Sequence, residues 1–346
     1  MLPRPRSGLD VYCTPRDRRK DTRKDKRLRN GPQHRAVRCG VRRAVRRVVD
    51  KVLAYWLLCL GALGGLLVSG CTDQAAQTQQ APAVSVPHGL LDLTAGTSKT
   101  MPRASAVAAL AELTELSGLK FHRLQHDGAD VAALIEIDLA RFAPKMIAAP
   151  KGISPAQAIA QTNLSVIVGS SFASQVQRKQ PLGVLQINGT LLQELEPHGY
   201  TRILGISDLS VSSGATGGGV SRFKVVHRSE WPLESLHSAL QAGPGIIEKG
   251  LLDISERDLT RQKYFRSFVA ECGDRAVVGT TLVPMHLYTL GGELVDFFAS
   301  QQLPCSEVVN LAGDREAVLL VRNEQRAAYL GDPQPLKAGL IGFTGP

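Results

Sequence analysis

The segment from 312 to 316, Ala-Gly-Asp-Arg-Glu, carries two carboxylic acids between two apolar runs that have the composition of β-strands. A Gly-Asp pair in this position is typical of a hairpin turn, so the segment predicts a hairpin between the flanking strands. The carboxylates of Asp314 and Glu316 could instead serve a catalytic site, intact or decayed, although acidic residues in turns are more often structural. The choice between these interpretations depends on where the protein is located and on what surrounds the segment.

Other residues with chemically useful side chains lack a motif around them. Asp138 and Glu271 are alternative acids, but each fits better as a solvated residue of a strand. Three histidines have no partner in a recognisable motif and are expected to be structural: His227, His237 and His286. No Cys-x-x-Cys or His-x-x-x-His spacing indicates a zinc site. The glycine-rich segment 212–221 lacks the ending of a phosphate-binding loop and is expected to be a mobile loop, so we expect neither a metal nor a cofactor.

The net charge of +10 is concentrated at the N-terminus of the 346-residue chain. The first 52 residues contain 18 of the 41 lysines and arginines but only 5 of the 31 acidic residues. The rest of the chain is therefore mildly acidic and has no basic stripe. Because no aromatic residues are interleaved with the N-terminal basic run, a nucleic acid is not an expected partner.

An uncharged apolar stretch of 16 residues, 53–68, follows the basic region. It is short for a membrane span and has the length of the hydrophobic region of a signal peptide. The ending Val-Ser-Gly-Cys at 68–71 resembles a bacterial lipobox, which implies cleavage before Cys71 and attachment of a lipid to its thiol. A plain membrane anchor and a signal cleaved elsewhere are the alternatives. Since Thr72 and Asp73 carry no strong inner-membrane retention signal, we expect a lipid-anchored protein at the outer membrane or the periplasmic face of the cell envelope.

Two of the six cysteines, Cys272 and Cys305, remain once those at or before the predicted cleavage point are set aside. An oxidising envelope compartment would permit a disulfide bond between them. Two buried free thiols are the alternative.

The predicted secondary structure mixes helices and strands without a regular alternation. Val107, Leu110, Leu113 and Leu116 recur at helical spacing, and Gly118 is placed to end that helix. Ser154 and Pro155 form a helix start signal, Asn188-Gly189 indicates a hairpin, and Leu294, Phe297 and Phe298 lie on one face of a helix that ends before Pro304. We therefore predict an α+β fold, a mixed, mainly antiparallel sheet with packed helices in a single main domain.

The predicted domain organisation has four parts. They are a basic disordered arm or mis-assigned start (1–52), a lipoprotein-type signal peptide (53–71), a flexible tether rich in Gln, Ala and Pro (72–100) and the main domain (101–346).

Six segments of the main domain follow one another in a recognisable order: ALIEIDL, SPAQAIAQTNLSVIVGSSF, PLGVLQING, ALQAGPGIIEKG, YFRSFVAECGDRAVVGTT and YTLGGELVDFFASQQLPCSEVVNLAGD. In this order and spacing they resemble the phosphodiester glycosidase domain, the family of the uncovering enzyme that removes N-acetylglucosamine from mannose 6-phosphate diesters. The similarity covers about 121–343. It implies a glycosyl phosphodiester or an envelope glycan as the partner.

The same resemblance implies the residues of the site. Arg266 would bind the phosphate, because a guanidinium matches phosphate oxygens in a bidentate fork; a structural ion pair is the alternative role. The positions that would bind substrate are Gln241, Gly243, Pro244, Asn310 and Gly313.

Two departures from the family pattern concern the chemistry. Val168 stands where the family has Asn, and Ala312 where it has a catalytic Asp. Asp314 is the nearest carboxylate that could have taken over the role, and it follows Gly313 where the family continues with Gly-Gly-Ser-Ser. Three hypotheses follow: a diverged hydrolase, a catalytically silent domain that binds a glycan or a protein, and a structural protein that keeps only the fold. The loss of Asn at position 168 and of Asp at position 312 argues against the hydrolase. The retained Arg266 argues against the purely structural protein.

Overall fold

The computed structural model of the chain describes residues 86–173, 180–207 and 222–346. The predicted basic arm, the signal peptide with Cys71, the tether up to residue 85 and the glycine-rich segment 212–221 lie outside these ranges.

The first sheet has seven antiparallel strands in the order β2-β1-β18-β17-β6-β19-β5. Their bounds are β1 His88–Asp92, β2 Thr97–Thr100, β5 Ala143–Ile153, β6 Leu164–Ser170, β17 Val318–Arg322, β18 Arg326–Gly331 and β19 Lys337–Thr344. The predicted tether is therefore wrong for 88–100, which forms β1 and β2. The reason is that this stretch has apolar residues to bury: Leu91 belongs to a core cluster that also contains Ile159 and Tyr329.

The second sheet has five antiparallel strands in the order β10-β9-β11-β7-β8. They are β7 Leu185–Ile187, β8 Thr190–Gln193, β9 Arg202–Ser207, β10 Arg222–His227 and β11 Ser238–Ala242. The hairpin predicted at Asn188-Gly189 is confirmed: these two residues join β7 to β8 with φ values of 51° and 77°, as a type I′ turn requires.

The third sheet again has seven antiparallel strands, in the order β13-β12-β16-β14-β15-β4-β3. The bounds are β3 Lys120–His126, β4 Ala129–Asp138, β12 Gly245–Glu248, β13 Leu251–Leu252, β14 Ser267–Cys272, β15 Arg275–Thr281 and β16 Glu307–Asn310. A disulfide bond joins Cys272 at the end of β14 to Cys305 just before β16.

Three α-helices occur within the described ranges: α1 Arg103–Leu116, α2 Pro155–Gln161 and α3 Leu287–Ser300. Gly118 follows the end of α1 with φ 74°, as predicted, but Leu116 is 65% exposed and does not share the buried face of that helix. The start signal of α2 is confirmed, because the Ser154 hydroxyl accepts a hydrogen bond from the Gln157 N–H at 3.1 Å. None of the helices in the part of the chain that the structure describes is long and apolar enough to span a membrane.

The predicted α+β class is wrong, because the described chain is mainly β. Its main core is formed between sheets and includes Val168 of the first sheet, Leu204 of the second and Val269 of the third. The sequence patterns overweighted the helices because several strands are only two to four residues long. Alternation of side chains cannot be recognised over such short stretches.

A buried arginine joins the second sheet to the third. Arg202 on β9 is 3% exposed, and its Nη2 donates to Asp253 at 2.7 Å and to Glu248 at 3.0 Å. Its Nε lies 3.9 Å from the carboxylate of Glu307 on β16. Gly245 leaves room for this contact, because a β carbon there would lie 2.8 Å from Arg202 Cζ.

Candidate functional site

The segment 312–316 crosses between sheets and does not form the predicted hairpin. β16 pairs with β12 and β14 in the third sheet, whereas β17 pairs with β6 and β18 in the first. Between them, Asp314–Glu316 form a short 3-10 turn, in which Asp314 has φ 57°. A local Gly-Asp signal specifies that the chain turns but not which strand it joins next, so the hairpin prediction failed.

Arg266 lies directly beside this segment. The Asp314 N–H donates to the Phe265 carbonyl at 2.9 Å. A β carbon on Gly313 would lie 2.7 Å from the same carbonyl and 3.8 Å from Arg266 Cδ. The structure thus brings together Arg266, Gly313 and Asp314, three of the residues that the family resemblance indicated, at the junction of the first and third sheets.

The guanidinium of Arg266 has unused hydrogen-bonding capacity. No carboxylate within 86–173, 180–207 or 222–346 lies within 4.0 Å of it, and its buried Nε has no hydrogen-bond partner there. The ring of Tyr264 lies below it, with the ring centroid 5.0 Å from Arg266 Cζ. The structural ion pair considered for Arg266 is therefore not formed among the described residues, and the cation is held by an aromatic ring instead.

Burial and opposite charge have opposing effects on the pKa values of Arg266 and Asp314. Burial lowers the pKa of Arg266, while the nearby charges of Asp258 and Asp314 work in the opposite direction. Burial raises the pKa of Asp314, and the charge of Arg266 limits that rise. Burial therefore leaves the charge of Arg266 incompletely compensated, which favours an added anion there, whereas an ionised Asp314 would oppose it.

Asn310 and the Gly243-Pro244 turn form a second group, held together by hydrogen bonds. Asn310 Nδ2 donates to the Gly243 carbonyl at 3.3 Å, and the Gly243 N–H donates to the Asn310 carbonyl at 2.9 Å. The Gly243-Pro244 peptide is cis. Gly243 has φ 138°, and a β carbon there would lie 2.8 Å from the Thr201 nitrogen, so no other residue fits. Asn310 Oδ1 is buried without a partner among the described residues.

Gln241 has no hydrogen-bonding atom left for a ligand. Its side chain is 0% exposed, and its Oε1 accepts from the N–H groups of Val184 and Glu196. Its Nε2 donates to the carbonyls of Glu196 and Tyr200. It fixes the loop after β8 against β11, which is a structural role.

Ala312, at the position where the family has a catalytic Asp, is 2% exposed and packs as an apolar residue.

The remaining candidate acids, Glu316, Asp138 and Glu271, each contact another group of the fold. The Glu316 carboxylate lies 3.8 Å from Lys337 Nζ. Asp138 accepts from the Ala140 N–H at 2.9 Å, and Glu271 from the Val225 N–H at 2.7 Å. Within the described chain, no three His, Cys, Asp or Glu side chains are grouped so as to hold a metal ion.

Sequence reasoning missed Tyr264 and Asp258 as neighbours of Arg266. Tyr264 is two residues before Arg266 in an extended segment, where alternate side chains share a face, so this spacing could have indicated the aromatic support. Asp258 comes from the separate 3-10 turn Glu256–Thr260, and no local pattern links that turn to Arg266.

Comparisons with known proteins give only distant similarity. No protein-family model matches the chain, and no curated protein matches it either. Among solved structures it is similar to the zebrafish N-acetylglucosamine-1-phosphodiester alpha-N-acetylglucosaminidase catalytic domain, auto-inhibited by its pro-peptide (12% identity, 66% of this chain and 82% of that one, TM-score 0.45). It is also similar to a hypothetical protein from Synechocystis (10% identity, 66% of this chain and 62% of that one, TM-score 0.43). A third similar structure is a putative exported protein from Burkholderia pseudomallei (10% identity, 75% of this chain and 86% of that one, TM-score 0.42). These values indicate a remote likeness in fold, and no residue role is transferred from them.

Proposed function

We propose that this chain is an envelope lipoprotein whose β-rich domain binds a glycosyl phosphodiester, or an anionic glycan of that kind, at Arg266 without efficient hydrolysis. The observation that carries the proposal is the partly buried guanidinium beside Gly313, whose Nε–H has no partner in the described chain. A phosphodiester offers acceptor oxygens in the geometry that a guanidinium fork matches. Gly313 adds no side chain between this cation and a ligand.

The set of carboxylates near Arg266 supports binding over hydrolysis. Glycoside hydrolysis generally needs two carboxyl groups on either side of the scissile bond. Asp258 is 8% exposed, and its carboxylate accepts from the Tyr288 N–H at the start of α3 at 3.1 Å. Of the two acids whose charges act on Arg266 in the described chain, Asp314 would then be the one left for catalysis, since position 312 is an apolar alanine.

Removing the Arg266 guanidinium is expected to abolish most of the binding. We expect Arg266→Gln to weaken binding of an N-acetylglucosamine 1-phosphate methyl diester by about 10- to 100-fold, because a hydrogen bond to a charged group contributes about 1.5–3 kcal/mol. Calorimetric titration of the full chain measures this change. Arg123→Gln, at an exposed arginine on β3, is the matched control and should bind like the wild type.

Two results would contradict the proposal. Equal affinity for the diester and for the neutral methyl glycoside would exclude recognition of the phosphate. Release of the sugar by wild type at about 1 per second or faster would show an active enzyme, and Asp314→Asn would then be the variant that tests the remaining carboxylate.

Lipidation at Cys71 is a separate expectation. Cys71→Ser should prevent incorporation of labelled fatty acid and leave an unprocessed precursor, because the thiol is the acceptor. The disulfide between Cys272 and Cys305 supports an oxidising compartment for the domain. Cys59→Ser, within the apolar stretch, is the control and should be labelled like wild type. Equal labelling of the Cys71 variant would disprove the assignment.

A further inference from the structure

A cavity of about 390 Å³ lies between the first strands of the chain and the residues next to Arg266. Five residues form its apolar wall: Val86, Pro87, Met101, Phe265 and Leu282. Its polar groups come from His88, Thr100 and Arg103. About half of its lining surface is polar, so the cavity could hold a molecule that has both an apolar and a polar part. At about 30 Å³ for each water-sized group, the cavity has room for about a dozen non-hydrogen atoms.

The polar groups that line this cavity can act as hydrogen-bond donors. Arg103 donates one bond to the Leu282 carbonyl, and none of the carboxylates in the described ranges lies within 4.0 Å of its guanidinium. The Gly331 N–H donates to His88 Nδ1 at 3.4 Å. Burial, with the Arg103 charge adding to it, lowers the pKa of His88, so its imidazole is neutral at pH 7 and carries its proton on Nε2. The Thr100 hydroxyl adds a third donor.

The position of Arg103 on its helix adds to this positive field. Arg103 is the first residue of α1, where the helix dipole disfavours a cation. The residue before it is Pro102, which forms no side-chain cap, and the first turn of α1 contains no acidic residue. Arg103 is itself exposed, and within the described residues it forms no ion pair, while the first turn of α1 has no acidic residue of its own. An anion in the cavity would compensate both the guanidinium and the positive end of the helix.

We infer that this cavity binds a small amphiphilic monoanion, a carboxylate with an apolar tail or ring. The carboxylate would lie at Arg103 and Thr100, with the apolar part against Met101, Phe265 and Leu282. This site differs from the one at Arg266. Phe265 lines the cavity and its carbonyl accepts a hydrogen bond from the Asp314 N–H, whereas Arg266 is not among the residues that line the cavity.

Calorimetric titration of the full chain with octanoate tests the inference. We expect saturable one-to-one binding, and a loss of affinity of about tenfold or more in Arg103→Gln, because the charged hydrogen bond is removed. Arg103→Lys keeps the charge but loses the guanidinium fork, so it should bind octanoate more weakly than wild type and more tightly than Arg103→Gln. Arg266→Gln and Arg123→Gln should leave octanoate binding unchanged, so failure at this site is distinguishable from failure of the phosphodiester proposal.

Neutral octanamide and inorganic phosphate serve as the two ligand controls. If octanamide binds as tightly as octanoate, the cavity does not recognise an anion. If phosphate binds as tightly as octanoate, the apolar wall contributes nothing. No saturable binding of octanoate up to about 10 mM, a concentration at which even millimolar affinity is detected, would overturn the inference, including the case in which chain preceding Val86 fills the cavity.

Discussion

Replacement of Arg202 by methionine is expected to lower the free energy of unfolding by about 1.5–3 kcal/mol, because it removes the charged hydrogen bonds that this buried guanidinium donates to carboxylates that are themselves partly exposed. Arg202 is 3% exposed and contacts Glu248, Asp253 and Glu307 at 2.7 to 3.9 Å. These acids lie on or next to strands of the third sheet, and the arginine lies on the second. The Arg202→Met substitution would therefore weaken the contact between the second and third sheets. Urea unfolding at pH 7 measures the change in the free energy of unfolding.

The pH dependence of that loss provides an independent check. Burial, together with repulsion from Glu248 and Asp253, raises the pKa of Glu307 even with Arg202 present. A carboxyl group with a raised pKa in the folded state binds more protons folded than unfolded, so stability increases as the pH falls through that raised value. Without Arg202 the pKa should rise further. The difference between Arg202→Met and wild type should therefore shrink as the pH falls from neutral towards the ordinary glutamate value of 4.5.

Arg222→Met is the matched control for this prediction. Arg222 lies on β10, the neighbour of β9 in the same sheet, and is exposed. Exposed substitutions of this kind usually change stability by no more than about 0.5 kcal/mol. Two results would show that the Arg202 contact does not stabilise the junction of the second and third sheets. One is a similar loss of unfolding free energy in Arg202→Met and Arg222→Met. The other is a difference in unfolding free energy between Arg202→Met and wild type that stays constant with pH.

Loss of the disulfide is expected to lower the free energy of unfolding by about 3–4 kcal/mol, from the loop entropy of its closed segment. Cys272 and Cys305 are 33 residues apart, and that segment contains β15 and all of α3. The double variant Cys272→Ala/Cys305→Ala should unfold at a lower urea concentration than oxidised wild type. Reduced wild type should unfold close to the variant.

The reducing agent supplies the control for the disulfide prediction. It should not change the unfolding of the double variant, because Cys272 and Cys305 are the only cysteines among the described residues. An unchanged urea midpoint for wild type, after mass spectrometry has shown that the bond is reduced, would contradict the stabilising role.

Local signals in the sequence were sufficient for some elements and insufficient for others. The Ser154-Pro155 start of α2 and the Asn188-Gly189 turn were predictable because a few neighbouring residues determine each of them. The path of segment 312–316 was not predictable, because this segment leads into β17, and β17 pairs with β6, whose residues are about 150 positions away in sequence. The α+β class prediction failed for the same reason, since short strands acquire their identity from partners distant in sequence.

The candidate site divides in a similar way. Arg266 and Gly313 were indicated by resemblance, and the structure places them beside each other. Gln241 fits the same pattern in sequence but is occupied by bonds to Val184, Glu196 and Tyr200. Arg202 was missed altogether, because its acidic partners lie 46 to 105 positions away and only the packing of two sheets brings them together. Charge pairing over such distances has no signature in a single sequence.

The location of β1 determines how the domain would respond to mechanical force. Any pull on the chain that precedes the domain enters the fold at His88–Asp92, which is hydrogen-bonded to β2 on one side and to β18 on the other. All five residues of β1 are paired with β18. A force along the strand would have to shear these bonds at the same time, whereas a strand loaded across its axis unzips one bond after another. A force applied along β1 from its N-terminal end would therefore act on the fold in a mechanically resistant direction.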